Sequence, residues 1–216
     1  MRLFLDTANL DEIREAARLG VISGVTTNPS LIAREASTDV HSVILEICDL
    51  IPGPISVEVV RTDVEGMLDE ARSIAPWHPN VVVKIPCTAN GLGAISTLSR
   101  EGIPINMTLC FSANQALLGA LAGATYISPF VGRLDDIGHD GMQVVADSVE
   151  IFNRHRLSAQ VLAASIRHPL HVMAAAKAGA AIATLPYKVL TQMIQHPLTD
   201  SGLVRFIEDW QRLARV

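Results

Sequence analysis

In the segment NVVVKIPCTANG, residues 80–91, three valines lead into a lysine and a proline ends the apolar run. A short apolar run bounded by turn residues is typical of a buried strand. An ammonium group at the end of such a strand is costly to bury unless it is paired with a carboxylate or has lost its proton. Lys84 therefore needs either a structural partner or a chemical role.

Similar apolar runs alternate with amphipathic stretches of helical length along the whole chain. The runs are LFLDT (3–7), GVTTN (24–28), ISVEVV (55–60), VVVKIP (81–86), IPINMTL (103–109), TYISPF (125–130), AQVLAAS (159–165) and AIATLP (181–186). Strands that alternate with helices predict an α/β protein with a parallel sheet, and eight such units favour a closed (β/α)8 TIM barrel. We therefore expect a single barrel domain over residues 1–216.

Local signals predict where the helices begin and end. Capping boxes, which satisfy free backbone N–H groups at a helix start, are formed by Asn9 with Glu12, Thr62 with Glu65, and Ser112 with Gln115. Four glycines lie where helices should end, namely Gly20, Gly102, Gly123 and Gly179.

An amphipathic segment at about residues 200–214 is left over after the eighth unit. One helical face carries Leu203, Phe206, Ile207, Trp210 and Leu213. Because one barrel closes without this helix, we predict that it packs on a neighbouring subunit.

The composition argues against several classes of protein. The net charge is −5 and no Lys/Arg cluster is present, so a nucleic-acid partner is not expected. The longest apolar stretches are interrupted before membrane-spanning length, and Asp6 comes too early for a secretory signal. Cys48, Cys87 and Cys110 form no C-x-x-C pair and are typical of free thiols in a reducing compartment. We expect a cytoplasmic protein without a membrane partner.

Polar side chains are concentrated toward the carboxyl ends of the predicted strands. A barrel interior is normally filled with Val, Ile and Leu, and the active sites of barrels lie at the carboxyl ends of the strands. Strand side chains alternate between two faces, so Thr26 and Asn28 share a face, as do Asn106 and Thr108. The full set at this end is Asp6, Thr26, Asn28, Glu58, Lys84, Asn106, Thr108, Ser128 and Ser165.

Two interpretations of Lys84 remain open at this point. With Glu58 on the adjacent strand it forms a structural ion pair in the core. Alternatively, a lysine that loses its proton is a nucleophile that forms Schiff bases with carbonyl compounds. The hydroxyls and amides around the pair suit a polyhydroxylated ligand and favour the second interpretation.

Two arginines follow predicted strand ends. Arg133 and Arg167, with the hydroxyl of Ser165, have the chemistry to hold one phosphate, because guanidinium groups bind phosphate in a bidentate fork. The alternative is that they are surface arginines paired with Asp135 and Asp136.

Three other signals are weak. The segment RLDDIGHDG gathers carboxylates and a histidine without a recognised metal-ligand spacing, so we interpret it as loop and cap residues. NGLGAIS lacks the third glycine of a dinucleotide-binding loop. Cys110 near the site could be a redox-sensitive thiol, but we interpret it as ordinary variation.

Several segments together resemble the small transaldolases, the short-chain branch that also includes the fructose-6-phosphate aldolases. These segments are LFLDTAN, GVTTNPSLIA, VVVKIP, SPFVGRLDDIGHDG and VLAASIRHP. The resemblance runs from residue 1 to the C-terminal FIEDW. It implies a cofactor-free, metal-free Schiff-base enzyme of the non-oxidative pentose phosphate pathway, with sugar phosphates as substrates and a homo-oligomer that is a pentamer or decamer.

The resemblance also implies a role for each matching residue. Lys84 matches the Schiff-base lysine, Asp6 the acid/base for the C4 hydroxyl, and Glu58 with Thr108 the pair that holds a catalytic water. Side chains that match the binding of the dihydroxyacetone portion are Asn28, Asn106 and Ser128, with Thr26 beside them. The phosphate cradle corresponds to Arg133, Ser165 and Arg167.

The resemblance leaves two activities to choose between. In this family the aldolase branch carries Gln in place of Glu58 and Tyr in place of Phe130, so both positions favour a transaldolase. The first alternative is a fructose-6-phosphate aldolase that releases free dihydroxyacetone. A more distant one is a non-catalytic sugar-phosphate binding protein in which Lys84 and Glu58 are purely structural.

Overall fold

The computed structural model describes residues 1–35 and 39–213, which form a closed barrel of eight parallel strands in sequential order. The strands are β1 (Arg2–Asp6), β2 (Ile22–Thr26), β3 (Ile55–Glu58), β4 (Val81–Pro86), β5 (Ile105–Cys110), β6 (Tyr126–Pro129), β7 (Gln160–Ala163) and β8 (Ile182–Leu185). Pairing of β1 with β8 closes the ring. The predicted (β/α)8 barrel is confirmed.

Helices surround the barrel and follow its strands in alternation. They are α1 (Leu10–Arg18), α2 (Pro29–Ile32), α3 (Val40–Leu50), α4 (Val64–Ile74), α5 (Ala89–Arg100), α6 (Ala113–Leu121), α7 (Val131–Asp135), α8 (Gly141–His155), α9 (Pro169–Lys177), α10 (Tyr187–Ile194) and α11 (Pro197–Leu213), with a 3-10 turn at Ala75–Trp77.

The helix boundaries follow the predicted signals with one correction. Asn9 and Ser112 accept hydrogen bonds from backbone N–H groups at the starts of α1 and α6. At α4 the cap is Asp63 instead of Thr62, because the Asp63 carboxylate reaches Gly66 N at 2.8 Å. Each of the four predicted helix-ending glycines adopts a positive φ, namely Gly20, Gly102, Gly123 and Gly179.

Two apolar cores are built from the two faces of the strands. The larger core lies between the sheet and the helices and contains residues such as Ile85, Ile95 and Ile105. The smaller core fills the barrel interior and is formed by Phe4, Val82, Tyr126, Leu162, Ala164 and Ile182. On β2, Gly24 makes room for the Phe4 ring, since a Cβ at Gly24 would lie 2.6 Å from the ring.

A polar layer lies above the inner apolar core. Because side chains of one strand return to the same face every second residue, four of the six inner apolar residues are followed two positions later by a residue of this layer. The pairs are Phe4 and Asp6, Val82 and Lys84, Tyr126 and Ser128, and Ile182 and Thr184. The two-residue period of the strands therefore places these polar side chains in one layer, at the carboxyl ends of the strands.

The predicted C-terminal helix is present as α11, and none of its residues is buried. Its apolar residues are largely exposed, with Phe206 at 67%, Trp210 at 72% and Leu213 at 71%. Packing of this helix on a second subunit stays a prediction. Within the described ranges, no helix combines the length and the apolar character needed to cross a membrane.

Candidate active site

A pocket of about 320 Å³ opens at the carboxyl ends of the strands. Nine of the sequence-predicted site residues line it: Asp6, Thr26, Asn28, Lys84, Ser128, Phe130, Arg133, Ser165 and Arg167. The other three, Glu58, Asn106 and Thr108, do not line this pocket, but Glu58 and Asn106 contact the lining residues Lys84 and Ser128. The barrel thus brings residues of β1, β2, β4, β6 and α7, and of the segments that follow β2, β6 and β7, around one cavity.

Lys84 is buried at 4% exposure and has two oxygen partners. Its Nζ lies 2.9 Å from Glu58 Oε2 and donates to the backbone oxygen of Thr27 at 3.1 Å. The pairing with Glu58 follows from the register, because Glu58 and Lys84 are opposite each other on β3 and β4. An ammonium has three N–H donors, so one position on Nζ is left for the pocket that Lys84 lines.

Asp6 is at the end of β1, on the wall of the same pocket. Its Oδ1 accepts from Thr26 Oγ1 at 2.6 Å, and Thr26 Oγ1 also lies 2.7 Å from Thr184 Oγ1. Removal of water from the carboxylate by burial raises the pKa of Asp6, and this effect outweighs the lowering by Lys84, Thr26 and Arg133. Asp6 thus holds a proton more readily than an exposed aspartate does.

Behind the pocket, a second set of hydrogen bonds ties three strands together. Ser128 Oγ donates to Asn106 Oδ1 at 2.6 Å, and Asn106 Nδ2 donates to Ser56 Oγ at 3.0 Å. Asn106 is therefore fixed by two neighbours. The hydroxyl of Thr108 is different, since it is buried and has no hydrogen-bond partner among the described residues.

Asn28 joins the pocket to the start of α2. Its side-chain oxygen accepts from Leu31 N at 3.0 Å, which caps the helix and leaves the amide nitrogen as a donor. Because the same side chain lines the pocket, that donor is available to a ligand there.

The two predicted phosphate-binding arginines have different surroundings. The Arg133 guanidinium lies over the Phe130 ring, 5.0 Å from its centroid, and Phe130 packs edge-on against Phe111 at 5.6 Å. Arg167 forms an exposed ion pair with Asp136 at 2.8 Å, as the surface alternative predicted. That pairing is weak in water, so it does not prevent Arg167 from binding a phosphate.

Ser165, which lines the same pocket as the two arginines, has an unusual backbone conformation. Its φ is 56°, a left-handed conformation that non-glycine residues adopt rarely. Its carbonyl oxygen accepts from Gly132 N at 3.0 Å, and a Cβ on Gly132 would lie 2.3 Å from that oxygen. Gly132 therefore permits α7 to approach the loop after β7 at the pocket.

Some pocket residues were missed by the sequence analysis. Thr184 lies in the run AIATLP, where it looked like an ordinary β-branched strand residue, although its two-residue spacing from Ile182 was a usable signal. Ser30 and Arg34 also line the pocket, but Ser30 lies within the quoted segment GVTTNPSLIA and Arg34 directly follows it, so neither was recognised as a separate feature.

The weaker sequence signals have structural explanations. Asp140 caps α8, and Asp135 accepts from Gly141 N and contacts His171 at 3.1 Å. In residues 1–35 and 39–213, no group of three or more His, Cys, Asp or Glu side chains is arranged to hold a metal. Burial raises the pKa of Cys110 to about 12, which keeps it in the unreactive thiol form.

Comparison with known proteins places these residues in a family. The family model described as "Transaldolase/Fructose-6-phosphate aldolase" matches residues 3–215. A "Probable transaldolase" of Dehalococcoides mccartyi is 61% identical over 216 residues, and the match covers 100% of both chains. Another "Probable transaldolase", of Desulforudis audaxviator, is 64% identical over 215 residues, again with 100% of both chains covered.

The fold is shared far more widely than the sequence. The structure of a mutant flavocytochrome b2 with pyruvate bound superposes with a TM-score of 0.62 at 14% identity, covering 87% of this chain and 56% of that one. At this identity the likeness concerns the barrel alone.

The raised pKa of Asp6 predicts that this carboxylate reduces stability at neutral pH. A group whose native pKa is raised contributes stability below its unfolded pKa of about 3.9, and that stability is lost as the pH rises through the native pKa. Asp6→Asn keeps an oxygen for Thr26 and removes the charge. The variant should therefore resist urea better than the parent at pH 7, and the difference should disappear toward pH ~4.

Equilibrium urea unfolding at both pH values measures this effect. Asp49→Asn, which alters an exposed carboxylate on α3, is the matched control and should behave like the parent at both values. An Asp6→Asn variant that is less stable than the parent at pH 7 would contradict the assignment.

Proposed function

The chain belongs to the transaldolase/fructose-6-phosphate aldolase family, and from this premise we propose that it is a transaldolase that forms a Schiff base on Lys84. The observation that carries the proposal is the placement of the Lys84 amine. It is buried, lies 2.9 Å from the Glu58 carboxylate, and faces the pocket that Asp6 also lines. The donors are fructose 6-phosphate and sedoheptulose 7-phosphate, and the acceptors are erythrose 4-phosphate and glyceraldehyde 3-phosphate.

The first step is attack of the Lys84 amine on the ketone carbon of the donor. A neutral amine is needed, and the Glu58 carboxylate is close enough to take the ammonium proton. The carbinolamine that forms then loses its hydroxyl as water, with the proton supplied by Glu58 through a water molecule. Thr108 supports this step, because its hydroxyl, which has no hydrogen-bond partner among the described residues, can bind such a water.

The second step is cleavage of the bond between C3 and C4. Asp6 removes the proton of the C4 hydroxyl, the C3–C4 electron pair moves into the iminium, and the aldose phosphate departs. The raised pKa of Asp6 supports this role, since the base must accept a proton from a hydroxyl and later return it. The remaining three-carbon enamine stays bound to Lys84 until an acceptor aldehyde adds by the reverse steps.

Binding of the substrate is divided between two parts of the pocket. Asn28 and Ser128 contact the dihydroxyacetone portion near Lys84, supported from behind by Asn106. Arg133, Ser165 and Arg167 contact the phosphate at the rim. Arg167 exchanges its exposed partner Asp136 for the phosphate, and the phosphate gains a bidentate contact.

Two residues favour the transferase over the aldolase. Glu58 is a carboxylate, as in the transaldolase branch, and is engaged directly with Lys84. The Phe130 ring has no hydroxyl with which to position a water molecule that could protonate the enamine. The ring packs against the Arg133 guanidinium and the Phe111 ring. These features support a long-lived enamine that waits for an acceptor.

We further propose that the protein is a homo-oligomer, a pentamer or decamer, held in part by the apolar face of α11. That face exposes Phe206, Ile207 and Trp210, which would be unfavourable in a monomer in water. Combined Phe206→Glu and Trp210→Glu substitution should produce smaller species in sedimentation velocity, whereas Arg205→Glu on the opposite face should not. A parent protein that sediments as a monomer would contradict the proposal.

Borohydride trapping tests the Schiff base. Incubation with fructose 6-phosphate and sodium borohydride should add one reduced dihydroxyacetone unit to the intact protein, as measured by mass spectrometry. Lys84→Arg keeps a cation beside Glu58 but cannot form a Schiff base, so it should give no adduct. The other lysines, Lys177 and Lys188, are exposed on α9 and α10, and Lys188→Arg is the matched control. An undiminished adduct on Lys84→Arg would refute the assignment.

A further inference from the structure

The hydroxyl of Thr26 lies between two oxygen atoms but has one proton to donate. Its Oγ1 is 2.6 Å from Asp6 Oδ1 and 2.7 Å from Thr184 Oγ1. Both distances are those of well-formed O–H···O hydrogen bonds. Thr26 and Thr184 are each 2% exposed, so bulk water does not compete for these groups.

The direction of both hydrogen bonds follows from the chemistry of the carboxylate. An ionised carboxylate only accepts hydrogen bonds, so the Thr26 proton must be donated to Asp6. The contact between the two threonines then needs a proton from Thr184. The resulting chain runs in one direction, from Thr184 on β8 through Thr26 on β2 to Asp6 on β1, and these three strands are neighbours in the closed sheet.

We propose that Thr184 is a positioning residue for Asp6, because its hydrogen bond orients Thr26 as a permanent donor to Oδ1 and leaves Oδ2 to take the substrate proton. This inference rests on the proposed function, in which Asp6 is the base of the cleavage step. During cleavage the C4 hydroxyl proton moves to Oδ2 as the C3–C4 electrons enter the iminium. The Thr26 proton stays on Thr26, so no proton passes along the chain.

The hydrogen bonds from Thr184 through Thr26 to Asp6 also affect how readily Asp6 ionises. Burial raises the pKa of Asp6, and the groups that lower it are Lys84, the hydrogen bond from Thr26, and Arg133. Donation by Thr184 polarises the Thr26 hydroxyl and strengthens its bond to the carboxylate. Without the Thr184 hydroxyl, Asp6 should therefore take up its proton at a higher pH than in the parent. Lys84 and Arg133 would still be in place.

The test compares variants at position 184. Thr184→Val removes the hydroxyl at nearly constant shape, and Thr184→Ser keeps it. Thr125→Val is the matched control, because its hydroxyl accepts from Ile105 N at 3.2 Å at the amino-terminal end of β6, away from the pocket. The readouts are the pH dependence of kcat/KM for glyceraldehyde 3-phosphate formation from fructose 6-phosphate with erythrose 4-phosphate, and the yield of borohydride adduct.

The expected pattern has three parts. Thr184→Val should shift the acid limb of the kcat/KM profile upward by about half a pH unit and lower kcat/KM below that limb several-fold. Thr184→Ser should restore the parent profile, and Thr125→Val should not change it. The adduct should still form in Thr184→Val, because Lys84 and Glu58 are untouched.

Two results would overturn the inference. In the first, the acid limb of the kcat/KM profile lies at the same pH in Thr184→Val as in the parent. In the second, Thr184→Ser loses as much kcat/KM as Thr184→Val does. Thr184→Ala makes the same comparison if the valine variant does not fold. Failure of the parent itself to form an adduct would instead refute the proposed function, so the two failures are distinguishable.

Discussion

The structure depends on a charged lysine held inside a closed barrel. A buried ammonium is tolerated only when oxygen atoms surround it, and Lys84 has the Glu58 carboxylate and the Thr27 carbonyl oxygen. The register of β3 and β4 sets this arrangement, since it places Glu58 opposite Lys84. The apolar residues one layer below, such as Phe4 and Val82, exclude water from beneath the pair. The position of the amine is thus fixed by the strands themselves.

Around this pair the polar layer divides into separate hydrogen-bonded groups. Asp6 belongs to a chain with Thr26 and Thr184, whereas Asn106 is bound by Ser128 and Ser56. Within the described residues, neither group is hydrogen-bonded to the Lys84 amine. The acid and the amine are therefore held by separate contacts, although the charge of Lys84 acts on Asp6 and lowers its pKa against the effect of burial. Under the proposed function, each of the two groups meets a different carbon of one bound sugar.

Much of this arrangement was predictable from the sequence because it follows from short-range regularities. The alternation of apolar runs with helical stretches predicted the barrel, and polar residues at strand ends predicted most of the pocket. Contacts set by tertiary packing were harder to predict. Thr184 resembled a normal strand residue, and nothing local distinguished the pairing of Arg167 with Asp136 from phosphate binding. Thr62 and Asp63 are adjacent residues that can both cap a helix, and Asp63 is the one that caps α4. Only the three-dimensional geometry decides which of the two reaches the backbone N–H of the first turn.

The most direct test of the account is the release of glyceraldehyde 3-phosphate from fructose 6-phosphate, measured with and without erythrose 4-phosphate. A transaldolase should show sustained turnover only when erythrose 4-phosphate is present, because without it the three-carbon enamine stays on Lys84. Less than one equivalent per subunit should then be released in a single burst. Equal turnover without the acceptor would contradict the account, since it would mean that water protonates the enamine and that free dihydroxyacetone is the product.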